Sequence, residues 1–398
     1  MIKELTIKNF RSIRAATLEL GRFTVLTGAN NSGKSSVLYA LQVLKNMVTN
    51  PNRSVDELLN LGFLNLGGLH ECSFMKKRKG FTLGVTVQHD SSKSNPSIVE
   101  YAAIFDPSQN YVAIGSTGRY EFKGLLEISY PYSLNKIDKI ILESPQSGEF
   151  SWNGIRVLEM NKAAESLSFL RSVVELPVET IAHLDVTPTS RGFTKPIFNT
   201  TPLNGHIYTE DEVATLLAID KDVQAKVAYY FEKITGKRFS ISIQPGMGFF
   251  YMQVREADGS FSTELVNQGM GLNQIVFLLA KILYVKNHLI CIDEPEIHLH
   301  PSLIEQFVKV LVEIAKKEGK QFIFSTHSEH WLLSLLAEVN DGNLSANDLK
   351  VYYLQKNDQE TSVEQQKVMP NGQLEGGLKN FMEAQMRLAE RFFDATTA

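Results

Sequence analysis

Apolar positions along the chain fall at two spacings, and the change of spacing marks the elements. Over residues 1–27 they alternate: Leu5, Ile7 and Phe10, then Ala16, Leu18 and Leu20, then Val25. That period of two predicts strands. From Ser36 to about Val48 the spacing lengthens. Val37, Leu38, Leu41, Leu44 and Val48 form the stripe of an amphipathic helix, which Asn50-Pro51-Asn52 ends. Residues 56–71, rich in Leu and Gly, predict a short helix and a loop. Between Phe81 and about Ile141, short alternating runs such as Phe81–Val87 and Leu125–Tyr130 are separated by Gly, Ser, Asn and Pro, which predicts an antiparallel meander. Helices are expected over 155–182 and 209–236, and strand character returns from Phe239 to Val254.

From Gly271 the pattern is α/β. A helix to about Val285 precedes the apolar run His288–Ile292, which suits a buried parallel strand. A helix over about 302–318 and the strand Gln321–Ser325 follow. The tail from Leu378 to Phe393 places Leu378, Phe381, Met382, Leu388, Ala389, Phe392 and Phe393 at roughly helical spacing, for docking on the core or on a partner. The fold class is therefore α/β: a mixed sheet core with an antiparallel β subdomain and a helical subdomain.

Composition narrows the function classes. The 398 residues are 43% hydrophobic, enough for a sizeable core. A net charge of -4 gives no global attraction to nucleic acid or to anionic membrane, so such contacts need a local patch. The dense basic run Lys76-Lys77-Arg78-Lys79 is either that patch or a solvated hairpin tip. The two cysteines, Cys72 and Cys291, make no disulfide framework, and Cys291 reads as a small core residue. No run approaches about 20 apolar residues, and Met1-Ile2-Lys3-Glu4 lacks a signal-peptide core. A cytoplasmic location and no membrane partner are expected.

Three motifs carry chemistry. Gly28-Ala29-Asn30-Asn31-Ser32-Gly33-Lys34-Ser35 fits G-x-x-x-x-G-K-[ST] between a predicted strand and a predicted helix, the context that makes it a phosphate loop. Gly28, Asn30, Asn31, Ser32, Gly33, Lys34, Ser35 and Ser36 are the expected nucleotide contacts: backbone N–H groups face the phosphates, Lys34 reaches the β- and γ-phosphates, and Ser35 ligates Mg²⁺. The apolar strand Leu289–Ile292 ends in Asp293-Glu294-Pro295, a Walker B in which Asp293 holds Mg²⁺ and Glu294 takes a proton from the attacking water. One strand later, Phe324-Ser325-Thr326-His327-Ser328 offers His327 to a γ-phosphate. A weaker fourth motif, Asn267–Gln274, puts Gly269 and Gly271 at a helix start where N–H groups can bind an anion. His298, His300, His327 and His330 match no standard zinc spacing.

In this order the motifs resemble the ABC-type ATPase heads, and within them the RecF/SMC/OLD-like group. Three stretches carry the resemblance: Leu5–Ser12 with its N-F-R-S turn, the D-E-P-E-x-x-L-H-P block Asp293–Pro301, and the G-x-G-x-x-Q form of the signature at Gly269–Gln274. Val186–Gly192 resembles the P-x-x-R segment of stand-alone OLD-like ATPases. The resemblance implies an ABC-type P-loop NTPase head with ATP and Mg²⁺ as cofactors, closing as a homodimer or higher homo-oligomer. Each nucleotide would lie between one phosphate loop and the other head's Gly269 and Gly271, with Arg11 lining the site and His300 at the D-loop aspartate's position. Glu294, His327 and Lys34 would be catalytic, and Ser35 and Asp293 would bind the metal. The Ser-to-Gly change at Gly269 removes a hydroxyl donor from the signature. The Q-loop is placed only as far as region 65–72.

On this reading residues 1–160 are ATPase lobe I with the meander, 161–274 the helical and signature subdomain, 275–358 the core with Walker B and switch His, and 359–398 a helical tail. The middle lacks the long coiled coil of SMC proteins, and residues 333–398 lack the acidic cluster of a Toprim nuclease, so the nuclease is expected to be missing from this chain. The function expected is ATP binding and hydrolysis by a head that controls a separately encoded effector, a nuclease or toxin, in prokaryotic anti-phage defence. The alternatives are a RecF-like DNA-repair ATPase that binds nucleic acid and an ATP-dependent assembly scaffold with little hydrolysis.

Overall fold

Apolar runs far apart in the chain pair with one another in a computed structural model that describes residues 1–377 apart from 51, 78, 90–96, 118–121, 129–137, 143–147, 153–156, 161–166, 204–206, 245 and 247, with backbone alone from 122 to 174. Strands β1 (Ile2–Phe10) and β2 (Ile13–Glu19) form a hairpin, and β3 (Phe23–Thr27) runs through the phosphate loop into α1 (Lys34–Thr49). Two one-turn helices follow: α2 (Val55–Leu58), closed by a Ser54–Glu57 capping box, and α3 (Leu69–Cys72). The meander comprises β4 (Phe81–His89), β5 (Ser97–Phe105), β6 (Asn110–Thr117), β7 (Phe122–Ile128), β8 (Asp138–Leu142), β9 (Gly148–Trp152) and β10 (Val157–Met160). Next come α4 (Leu167–Ala182), β11 (Leu184–Thr187), β12 (Phe198–Asn199), α5 (Glu210–Ile219), α6 (Lys221–Thr235), β13 (Arg238–Ile243), β14 (Phe249–Arg255) and β15 (Ser262–Glu264). The last part is α7 (Met270–Leu283), β16 (Leu289–Asp293), α8 (Pro301–Glu318), β17 (Gln321–Ser325), α9 (Glu329–Asn340), β18 (Leu349–Asn357) and β19 (Glu360–Gln366).

The sheet that positions the chemistry runs β11-β16-β17-β3-β18-β19, parallel except for β19. Its central strands are buried on both faces, so they read as unbroken apolar runs. Alternate residues still face opposite cores. Ile290 and Ile292 join the core with α7 and α8, while Leu289 and Cys291 join the core with α1 and β1. The registers Asp293 opposite Ser325 and Ser325 opposite Leu26 bring the C-terminal ends of β16, β17 and β3 level. A second sheet, β2-β1-β4-β5-β6-β7, packs Ile7, Leu83 and Val85 toward the α1 side.

One polar cluster lies inside the second core. Lys281 Nζ stands 3.1 Å from Asp185 Oδ1, each side chain only 3% exposed. Asp185 Oδ2 also accepts from Thr187 Oγ1 at 2.9 Å. Buried Lys45 on α1 faces the same carboxylate, lies 4.9 Å from the Tyr208 ring, and is pulled down to about 8 by burial. Two ammonium groups therefore share one buried carboxylate.

Three expectations about elements change. The helix expected over 155–182 starts at Leu167, because Val157–Met160 pairs with β9 as a strand. The helix expected over 209–236 is two helices, broken where Asp220 turns to accept from the N–H groups of Asp222 and Val223. Glu360–Gln366, placed at the start of a helical tail, is a strand paired to β18. The helical stripe of 378–393 lies outside the described residues. Among the described residues no helix is long and apolar enough to cross a membrane.

Candidate active site

The phosphate loop is built by glycines where side chains cannot go. Gly28 (φ 136°) lies so close to the Leu354 carbonyl that a Cβ would sit 2.0 Å from it, and Gly33 (φ 102°) would meet Thr361 Oγ1 at 2.7 Å. The β18–β19 hairpin is thus the floor of the loop. Ser12 ties that floor to the β1–β2 turn, accepting from Thr361 N at 2.8 Å. Asn30 and Asn31 are exposed at the tip, Asn31 with φ 62°. Ser32 Oγ is buried without a hydrogen-bond partner, and Ser36 donates its N–H to the Gly33 carbonyl.

Lys34 is buried, and its Nζ donates to the carbonyls of Gly28 (3.0 Å) and Ala29 (2.9 Å). Burial lowers its pKa to about 8, against the opposing pull of Asp293, Glu294 and Glu296. Ser35 Oγ donates to Asp293 Oδ2 at 3.0 Å, joining the phosphate loop to the end of β16. These are hard oxygen donors of the kind that share Mg²⁺ with phosphate oxygens. The partnerless Ser32 hydroxyl and the Lys34 ammonium beside them fit a triphosphate. Among the described residues no group of three or more His, Cys, Asp or Glu is arranged to hold a metal by itself.

Glu294 and His327 meet at the next two strand ends, Nε2 to Oε1 at 3.3 Å. Burial, then the Lys34 charge, lowers the His327 pKa. Near neutral pH the contact therefore involves a neutral imidazole and is not an ion pair. Glu294 has φ 48°, costly for a long side chain. Its N–H donates to the Ser325 carbonyl at 2.7 Å, which holds that turn.

Two residues at this edge lie in sequence motifs that gave them no role. Arg191 Nη1 donates to the Asp293 carbonyl and Nη2 to the Glu294 carbonyl, both at 2.6 Å. It is 8% exposed, and burial lowers its pKa to about 10. Glu296 Oε1 accepts from Thr326 Oγ1 (2.6 Å), His327 N (3.1 Å) and Ser328 N (3.2 Å), so it sets the loop that carries His327. Burial raises its pKa. The available signals were the P-x-x-R segment and the second acid of D-E-P-E.

Gly269 and Gly271 open α7 with different surroundings. Gly269 is exposed, with nothing within 4 Å of a Cβ position, whereas a Cβ on Gly271 would stand 2.5 Å from the His298 carbonyl. Gly271 is thus needed for close packing on the D-E-P-E block. Asn273, one turn on, clamps the Arg191 segment by accepting from Phe193 N and donating to Phe193 O. His300 caps α8, its ring accepting from Ser302 N. Arg11 has φ 54°, and its guanidinium lies 5.3 Å from the Tyr39 ring centroid, one turn beyond Ser35 on α1. Lys76 of the basic run pairs with Glu71 at 2.7 Å, and Arg78 lies outside the described residues.

The chain resembles known proteins over most of its length. The family model described as "AAA domain, putative AbiEii toxin, Type IV TA system" matches residues 23–332. The chain is 26% identical to the OLD nuclease of Thermus scotoductus over 365 residues, covering 85% of this chain and 60% of that protein. It is 23% identical to the Old nuclease of Escherichia phage P2, covering 83% of this chain and 57% of that protein. The chain thus spans about three fifths of the length of these relatives. The structure of an Smc head bound to the C-terminal winged-helix domain of ScpA covers 92% of this chain and 97% of its own, with 13% identity and a TM-score of 0.51. That likeness concerns the fold, a P-loop ATPase head of the OLD and SMC type.

Proposed function

The chain belongs to the family described as "AAA domain, putative AbiEii toxin, Type IV TA system", and on that premise we propose that it binds and hydrolyses ATP with Mg²⁺ in sites shared between two copies. The observation that carries this reading is the 3.0 Å bond from Ser35 Oγ to Asp293, beside Lys34 and the Glu294–His327 contact. Lys34 leaves the loop carbonyls and takes the β- and γ-phosphates. Ser35 and Asp293 hold the metal, which when bound supplies charge neutralisation at the phosphate oxygens. Glu294 turns from His327 to accept a proton from the attacking water, and His327 is freed to donate to the γ-phosphate. Arg11 lines the site from the Tyr39 side. The open space at Gly269 suits a phosphate of the second copy's nucleotide.

The closing and opening of the pair controls an effector, a nuclease or toxin, in prokaryotic anti-phage defence. The names of the two OLD relatives and of the family support that role. Phosphate release tests the chemistry: wild type turns over only with Mg²⁺, and Lys34→Ala or Asp293→Ala falls by about 10²-fold or more. A wild-type chain that binds ATP yet releases phosphate no faster than Lys34→Ala would be an assembly scaffold instead.

A further inference from the structure

At the C-terminal end of α1 lies a cleft of about 410 Å³. Asn46, in its wall, stands twelve residues beyond Lys34 on the same helix, roughly 18 Å along the axis. The Asn46 end of the cleft is therefore distant from the phosphate loop, and its Arg191 wall backs onto the turn of Asp293 and Glu294. Its charged walls are Arg53, Arg191 and Lys281, and no carboxylate stands among its described walls. Phe63 and Tyr208 line the same opening.

Behind the wall the charge balance is also positive, since Lys45 and Lys281 share the single buried carboxylate of Asp185. Arg191 Nε is buried and has no hydrogen-bond partner. The carboxylates of Glu296, Asp293 and Glu294 answer the Arg191 charge, so what its guanidinium lacks is an acceptor for Nε, and an unpaired buried donor is costly. A phosphate group would supply that acceptor and would neutralise Arg53 at the rim. The flanking aromatic rings suit a planar ring attached to it, and the volume lies in the range of small-molecule sites.

We infer that this cleft binds a phosphorylated ring compound of mononucleotide size at a site separate from the ATP site. Arg191 links the two, because the same guanidinium holds the carbonyls of Asp293 and Glu294. An occupant that draws Arg191 toward the cleft loosens the turn carrying Glu294. That consequence rests on the ATPase reading, while the binding itself does not.

Calorimetric titration of AMP into the full chain carrying Lys34→Ala tests the binding with the phosphate loop disabled. AMP should bind with a Kd on the order of 10–100 μM, and inorganic phosphate about tenfold more weakly or worse. Arg53→Glu and Phe63→Ala, both at exposed positions, should each weaken AMP by about tenfold or more in that background. The inference is overturned if AMP does not bind the Lys34→Ala chain, if neither cleft substitution weakens it, or if free phosphate binds as tightly. Should the ATPase reading alone be wrong, AMP binding persists while wild type shows no turnover.

Discussion

Glu294→Gln should lower ATP turnover by roughly 10²–10⁴-fold, the range for losing a general base, while ATP still binds. The substitution keeps the size of the side chain and removes its capacity to accept a proton. Its backbone setting should survive, because the positive φ of 48° is imposed from outside the side chain. The Glu294 N–H is held by the Ser325 carbonyl and its carbonyl by Arg191. The Arg191 bond, charge-assisted by the guanidinium, is worth about 1.5–3 kcal/mol, and the neutral backbone bond about 0.5–1.5 kcal/mol. Lys34, Ser35 and Asp293 are untouched, so the ATP-bound pair should accumulate instead of turning over. Size measurement in ATP and in ADP, with single-turnover phosphate release, reads both effects. Rapid hydrolysis by the mutant would remove Glu294 from the role of base.

Asp185→Asn should destabilise the fold by about 3–5 kcal/mol, the cost of stripping a buried charge of its partner. The carboxylate answers Lys281 at 3.1 Å and faces Lys45, both buried. Without it two ammonium groups confront each other in the core. Asp185→Asn combined with Lys281→Met removes one of them and should recover part of the loss. Denaturant midpoints at unchanged m-value measure this. An Asp185→Asn protein as stable as wild type would mean that the lysines are already neutral or solvated.

The central strands β3, β16 and β17 were legible because burial on both faces leaves runs such as Leu289–Ile292 apolar throughout, whereas the flanking β11, β18 and β19 were not legible as strands. The phosphate loop was legible because its glycines stand where a Cβ would collide, Gly28 with the Leu354 carbonyl and Gly33 with Thr361. What stayed hidden depends on pairing at a distance. Val157–Met160 carries no strong local preference, and its strand state comes from β9. Asp220 reads as an ordinary helix-surface residue until its side chain is seen capping α6. Arg191 was legible only as the last residue of a P-x-x-R segment, with no role attached to it. It holds carbonyls about a hundred positions away, and the segment marks the residue without naming those partners. Glu296 was hidden for a similar reason, since its partners Thr326, His327 and Ser328 lie one strand further on.

The composite site is the central claim, and Gly269 allows a direct test of it. Nothing lies within 4 Å of a Cβ there, so Gly269→Glu should leave the monomer fold intact. In a closed pair it would set a carboxylate against the other copy's nucleotide. Turnover is measured for Lys34→Ala, for Gly269→Glu and for their equimolar mixture. Each alone should be inactive, and the mixture should regain about a quarter of wild-type activity, because half the pairs then hold one intact site out of two. Full activity of Gly269→Glu alone, or a mixture as inactive as its components, would contradict a site built from two copies.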